Sequence, residues 1–180
     1  APALYGTLAE RGFFAKEKLK EFRKINGNLQ GHPDMNKVPG VDISTGSLGQ
    51  GLSVANGMAL SSKLNHDGYR VYCLLGDGEI EEGQVWEAAM TASKYHLDNL
   101  CVIVDYNGLQ IDGKVEEVKG LDNLEGKFKS FGFNTIVVDG NNIEQLIDAF
   151  ETAKLTKEKP TMIIAKTIKG KGVSFMEGKA

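Results

Sequence analysis

Asp77 and Asn107 are the residues through which this sequence could do chemistry. Each closes an apolar run: one ends in Gly76-Asp77-Gly78, and the other leads through Cys101–Val104 into Asp105-Tyr106-Asn107. If the runs are consecutive parallel strands of an α/β sheet, their carboxyl ends open on one edge, where such folds place ligands. An acid and an amide then meet although 30 positions separate residues 77 and 107. Magnesium takes one or two protein oxygens and completes its octahedron with phosphates and water. Asp77, the amide oxygen of Asn107 and a nearby carbonyl could supply such ligands to a hydrated divalent cation that also holds a diphosphate. Gly78 would let the main chain approach a phosphate, and the helix expected to follow would offer its free N–H groups to the anion.

Two plainer readings compete. Asp77, Glu79 and Glu81 alternate like a calcium loop, but the glycine at the sixth place and the glutamate at the twelfth are missing. Gly-Asp-Gly could also be only a turn, with Asp105 or Asn107 a helix cap. The asparagine at the end of the next strand argues for the ligand site.

The elements that must hold these residues follow from apolar periodicity. Strands are expected over Tyr69–Leu75, Leu100–Val104, Asn134–Val138 and Thr161–Ala165. Helices are expected from about Glu82 to Leu97, over Leu121–Phe131, and from Ile143 through Ala153, stopped by Lys159-Pro160. Ahead of them, Leu4 and Leu8 mark one side of a helix already begun at Ala1. Ala15–Ile25 reads as an amphipathic surface helix, and 26–45 as loop. Gly46-Ser47-Leu48-Gly49-Gln50-Gly51 opens a further helix with Leu48, Leu52, Ala55 and Ala59 on one face. Its glycine order, G-x-x-G-x-G after a loop, is not the G-x-G-x-x-G of a dinucleotide fold. Alternating strands and helices predict an α/β fold, a three-layer parallel sheet with helices on both faces.

Composition excludes several classes. The 180 residues, 41% of them apolar, suffice for one ordinary core, so a single domain over 1–180 is expected. Lys and Arg number 21 against 24 Asp and Glu, without a basic stripe, so no nucleic-acid partner is expected. No apolar run is long enough for a transmembrane helix and no leader is read, so the expectation is a cytoplasmic protein with no membrane partner. Cys73 and Cys101 sit inside strand-like runs without metal-ligand spacing, which predicts buried, reduced thiols.

GDG followed some 30 residues later by Asn is similar to the thiamine diphosphate signature of thiamine-dependent enzymes. Three further segments sharpen the likeness: Gly31-His32-Pro33-Asp34, the stretch from Gly40 to Gly51, and Lys166-Thr167-Ile168-Lys169-Gly170-Lys171-Gly172. Together they resemble the amino-terminal, diphosphate-binding domain of transketolase, most closely the split form in which the pyrimidine-binding domain lies on another polypeptide. The resemblance implies thiamine diphosphate and Mg2+ as cofactors, the metal on Asp77, Asn107 and the carbonyl of Leu109, and the diphosphate against Gly78 and Asn107. It sets Gly46, Ser47 and Leu48 against the aminopyrimidine, His32 at the donor sugar's hydroxyls, Glu82 at a subunit interface linked to both active sites, and Lys169 near the cofactor. An imidazole titrating near neutrality suits proton transfer.

It further implies ketol transfer between sugar phosphates in carbohydrate metabolism, within the pentose phosphate pathway. A carboxy-terminal transketolase subunit is the expected partner, with pairing of this chain in a larger assembly. The family's activating glutamate belongs to the pyrimidine domain, so a partner chain is expected for turnover. The family's Gly-His segment before Ala1 and its Trp-His-Gly stretch near Glu177 have no counterpart here. They are either outside this chain, the expectation adopted for both ends, or absent from the protein. Other thiamine-dependent transferases, such as a deoxyxylulose phosphate synthase or a 2-oxo acid dehydrogenase component, and a noncatalytic assembly module remain as alternatives.

Overall fold

A computed structural model describes residues 1–111 and 113–179, and the chain divides into two compact units, 1–47 and 48–180. In the first, helix α1 (Pro2–Glu10) starts on a proline, whose missing N–H costs nothing at that place. Its buried face is Tyr5, Leu8 and Ala9, whereas Leu4, expected beside Leu8, is exposed. The amphipathic helix expected over Ala15–Ile25 is only a 3-10 helix, Lys16–Glu21. Arg23 and Asn26 take positive φ and end it, leaving Ile25 92% exposed. Leu19 and Phe22 still pack on a small core of Tyr5, Leu8, Leu29, Val38 and Val41. The Tyr5 hydroxyl donates to the Gln30 carbonyl at 2.6 Å, so its polar end is satisfied.

The second unit begins with helix α2 (Gln50–Asn65). It starts four residues later than the sequence reading had it, because Gly46 and Gly49 have φ of +143° and +79°. Leu48 therefore lies ahead of the helix and is exposed, while Leu52, Ala55 and Ala59 are buried as expected. Then come β1 (Val71–Gly76), α3 (Gly83–Lys94) and β2 (Leu100–Tyr106). A two-strand hairpin, β3 (Leu109–Gln110) with β4 (Gly113–Lys114), and a four-residue helix α4 (Val115–Val118) follow, all too short to leave a periodic signal. Helix α5 (Leu124–Ser130) is shorter than expected because Asn123 caps it, its side-chain oxygen accepting the Gly126 N–H at 3.1 Å. Strand β5 (Asn134–Asp139), helix α6 (Ile143–Leu155) and strand β6 (Thr161–Lys166) complete the unit.

The four long strands form one parallel sheet in the order β1-β2-β6-β5. Side chains alternate across it, so the central strands β2 and β6 each feed two cores. On one face Cys73, Leu75, Val102, Val104, Met162 and Ile164 pack under α2, α3 and α5. Trp86 stacks over Phe128 at 5.1 Å between ring centres and continues that layer, while Met90 is exposed. On the other face Cys101 and Ile163 meet Ala149 and Ala153 of α6. The three-layer α/β arrangement is as expected, and β1 and β2 are neighbours in register, Gly76 opposite Asp105. Both thiols are free and buried.

Candidate functional site

The parallel register delivers Asp77 and Asn107 to one edge of the sheet, each just past the end of its strand. Asp77 is 2% exposed, and both carboxylate oxygens are engaged. Oδ1 accepts the Gly78 N–H at 2.8 Å and Oδ2 accepts the Gly108 N–H at 2.5 Å. Asn107 folds the same loop from within, its Oδ1 accepting the Leu109 N–H at 3.0 Å. The Gly108 carbonyl in turn accepts the Val115 N–H at 3.0 Å, and Val115 is anchored in the core at 2% exposure. Leu109 opens the hairpin and pairs with Lys114, so its main chain is fixed beside Asn107. Asp77, Gly78, Asn107 and Leu109 are thus gathered into one small network.

Gly78 lies directly against Gln110. A Cβ there would lie 2.4 Å from Gln110 Oε1 and 3.0 Å from Gln110 Cβ. The element after Gly78 is a 3-10 turn, Gly78–Glu81, and α3 begins at Gly83, next to the start expected at about Glu82. Glu82 is the residue ahead of α3, exposed and making no side-chain cap. Lys169 lines a cavity of about 690 Å³ together with Asp105, Asn107 and Thr167. Thr167 donates its hydroxyl to Asp105, which ties the end of β6 to the end of β2. Burial, with the carboxylates of Glu116, Asp77 and Asp122, pushes the Tyr106 phenol above its ordinary value and keeps it protonated beside this network.

In the first unit the structure brings His32 and Gly46 together. A Cβ on Gly46 would fall 2.4 Å from His32 Cγ, so the imidazole rests on the glycine's bare main chain. The Thr45 N–H donates to the Pro33 carbonyl at 3.2 Å, and the Met35 N–H to the Ser44 hydroxyl at 3.0 Å, which closes the loop on itself. His32 is exposed, as are Gly46 and Ser47 and, at the start of the second unit, Leu48.

Sequence reasoning weighed Glu79 only as a calcium-loop position and passed over Gln84 and Gln110. Glu79 Oε2 accepts the Gly76 N–H at 3.0 Å and Oε1 accepts the Gly49 N–H at 2.9 Å. Gln84 Nε2 donates to the Leu48 carbonyl at 3.0 Å. The signal available was weak: two polar residues just after a glycine motif, which sequence spacing alone could assign only to a calcium loop.

The transketolase family model for the thiamine diphosphate binding domain matches residues 3–180. The chain belongs to that family. A 6-deoxy-6-sulfo-D-fructose transketolase subunit from a Clostridium species is 47% identical over 99% of this chain and 65% of its own length. Human transketolase is also 47% identical, but this chain spans only 28% of it. Among solved structures, a mutant transketolase from Pichia stipitis superposes with a TM-score of 0.90 at 32% identity, over 98% of this chain and 28% of that one. Against a transketolase from Campylobacter jejuni the TM-score is 0.84 at 37% identity, over 90% of this chain and 26% of that one. The chain therefore spans about two thirds or less of the relatives it matches.

The residues present fit the diphosphate end of the family's cofactor. Among the described residues no group of three or more His, Cys, Asp or Glu side chains could hold a metal. A cation here would therefore lean on a mixed oxygen set of one carboxylate, one amide and one carbonyl, with phosphates completing the shell. That is how Mg2+ is commonly held. Gly78 beside Asp77 has no side chain of its own, and the group lying over its main chain is the flexible Gln110.

Proposed function

We propose that this chain is the diphosphate-binding part of a transketolase, which moves a two-carbon ketol unit from a ketose phosphate to an aldose phosphate. The observation that carries the reading is the buried Asp77 carboxylate joined to the Asn107–Leu109 loop. In this reading Asp77, Asn107 and the Leu109 carbonyl hold Mg2+, while Gly78 and Asn107 face the diphosphate and Lys169 lies close to it. Gly46, Ser47 and Leu48 line the aminopyrimidine. When bound, thiamine diphosphate supplies the nucleophilic carbon that breaks and remakes a carbon–carbon bond. The chain's own residues bind and orient it, and His32 exchanges a proton with the donor sugar's hydroxyls.

A partner chain carrying the pyrimidine-binding domain and the activating glutamate belongs to the same proposal. Its support is that several relatives are themselves named as subunits, among them the Clostridium protein and a chain of the apulose-4-phosphate transketolase from Phocaeicola vulgatus, 43% identical over 98% of this chain and 62% of its own length. Pairing of two copies, with Glu82 at the interface, and a cytoplasmic location complete the reading. No helix among the described residues is long and apolar enough to cross a membrane.

The test combines the full-length protein with its partner chain, thiamine diphosphate and Mg2+, and assays heptulose phosphate formation. Activity that needs both chains is the expected result. Carbon dioxide released from pyruvate without sugar phosphate exchange would place the chain with another thiamine-dependent transferase. A complex without activity would leave an assembly module.

A further inference from the structure

One peptide group in the second unit is held at both ends by side chains from the segment after Gly76. The peptide joining Leu48 to Gly49 has its carbonyl bonded by Gln84 Nε2 at 3.0 Å and its N–H bonded by Glu79 Oε1 at 2.9 Å. The second oxygen of Glu79 takes the Gly76 N–H at 3.0 Å, one residue before the buried Asp77. A single carboxylate thus spans from the end of β1 to the turn that opens α2, across 30 residues of chain. Bonds from main-chain N–H groups to a charged acceptor are stronger than neutral ones, and a peptide fixed at carbonyl and N–H together cannot rotate about its neighbouring bonds.

We propose that Glu79 and Gln84 are positioning residues that clamp the Leu48–Gly49 peptide at a fixed place relative to Asp77. The inference rests on the functional reading above, in which Leu48 lines the aminopyrimidine and Asp77 holds the metal and diphosphate. A cofactor whose two ends are held by different loops binds tightly only if those loops are already in place, since ordering a loop at the moment of binding subtracts from affinity. Glu79 therefore contributes without touching the cofactor: it sets the distance between the wall for one end and the anchor for the other. The Leu48 side chain is 55% exposed, so its burial holds the main chain only in part and the two clamp bonds add to it.

The test uses the full-length protein assembled with its partner. Calorimetry measures thiamine diphosphate affinity in excess Mg2+ for Glu79→Ala, Gln84→Ala and the double variant. Each single change is expected to weaken binding about tenfold, from the loss of one or two hydrogen bonds. Because both act on one peptide, the double variant should lose clearly less than the product of the singles. Independent, multiplying losses would overturn the clamp. A second readout needs no cofactor: amide exchange at Gly49 should be slow in the wild type and about tenfold or more faster in Glu79→Ala, with exchange at Ile163 in β6 unchanged. Should Glu79→Ala fail to fold, Gln84→Ala carries the same test from the carbonyl end. A wild type that binds no thiamine diphosphate overturns the functional reading and the clamp together. A wild type that binds, with variants matching it in affinity and Gly49 exchange, overturns the clamp alone.

Discussion

The Asp77 carboxylate accepts the Gly108 N–H at 2.5 Å, across 31 residues of chain, while its other oxygen accepts the N–H of Gly78. The acid is therefore part of the architecture before any ligand arrives. Asp77→Asn keeps the shape but turns an NH2 toward one of those donors, leaving it buried and unpaired. Unfolding free energy, measured by urea denaturation, is expected to fall by about 1.5–3 kcal/mol, the range for a hydrogen bond to a charged group. Wild-type stability in this variant would mean that the network is not formed in solution.

Gly78 separates two effects that a single substitution would confound. Gly78→Ala drives a methyl against Gln110, with Oε1 only 2.4 Å from the new carbon, and should lower both the thermal midpoint and cofactor affinity. Adding Gln110→Ala removes that oxygen. Stability should then largely return while thiamine diphosphate affinity stays low, because the methyl still blocks close approach of main chain to phosphate. Recovery of affinity together with stability would mean that the clash alone had been responsible.

Gly46 and His32 offer a third test. With φ at +143° and its missing Cβ on the imidazole, Gly46→Ala must displace the ring. His32→Ala is expected to lower kcat/KM for the ketose donor by about 100-fold, the low end for loss of a proton-transfer group. Gly46→Ala should reproduce part of that loss, and the double variant should be no worse than His32→Ala. Steady-state kinetics on the assembled enzyme read both.

How much of this was legible in the sequence follows from where each signal comes. The apolar runs ending at Gly76 and before Asn107 are strands of a covered parallel sheet, so their existence and parallel order could be read directly. Parallel strands also fix which edge their ends share, which is why Asp77 and Asn107 could be paired in advance. The helix at Ala15–Ile25 failed because lysines and a few apolar residues mimic amphipathicity, while the positive φ of Arg23 and Asn26 is a local decision that periodicity does not record. The hairpin at Leu109–Lys114 was too short to leave a period. Glu79 was weighed only as a calcium-loop position because its partners are main-chain N–H groups, and Gly49 becomes its neighbour only once the second unit has folded.

The two cysteines give a prediction about pH. Burial pushes the Cys73 thiol up to about 12, with the Glu79 charge adding to the rise, and Cys101 up to about 11 against an opposing pull from Arg70. Near pH 8 neither should react with iodoacetamide in the folded protein, and both should after denaturation. Between an ordinary thiol value of 9.0 and these raised values the folded state keeps protons that the unfolded chain has lost. Stability is therefore fully present below about pH 9 and falls as pH rises through that window, which urea midpoints at a series of alkaline pH values would record. A midpoint that rises with pH there would contradict the burial of both thiols.

The central claim is that Asp77 anchors a metal-bridged diphosphate, and titration calorimetry of thiamine diphosphate into the assembled protein tests it most directly. The wild type should bind tightly with Mg2+ and weakly without it, whereas Asp77→Ala should bind weakly in both conditions. Equal, Mg2+-dependent affinity in wild type and Asp77→Ala would remove Asp77 from the site and contradict the account.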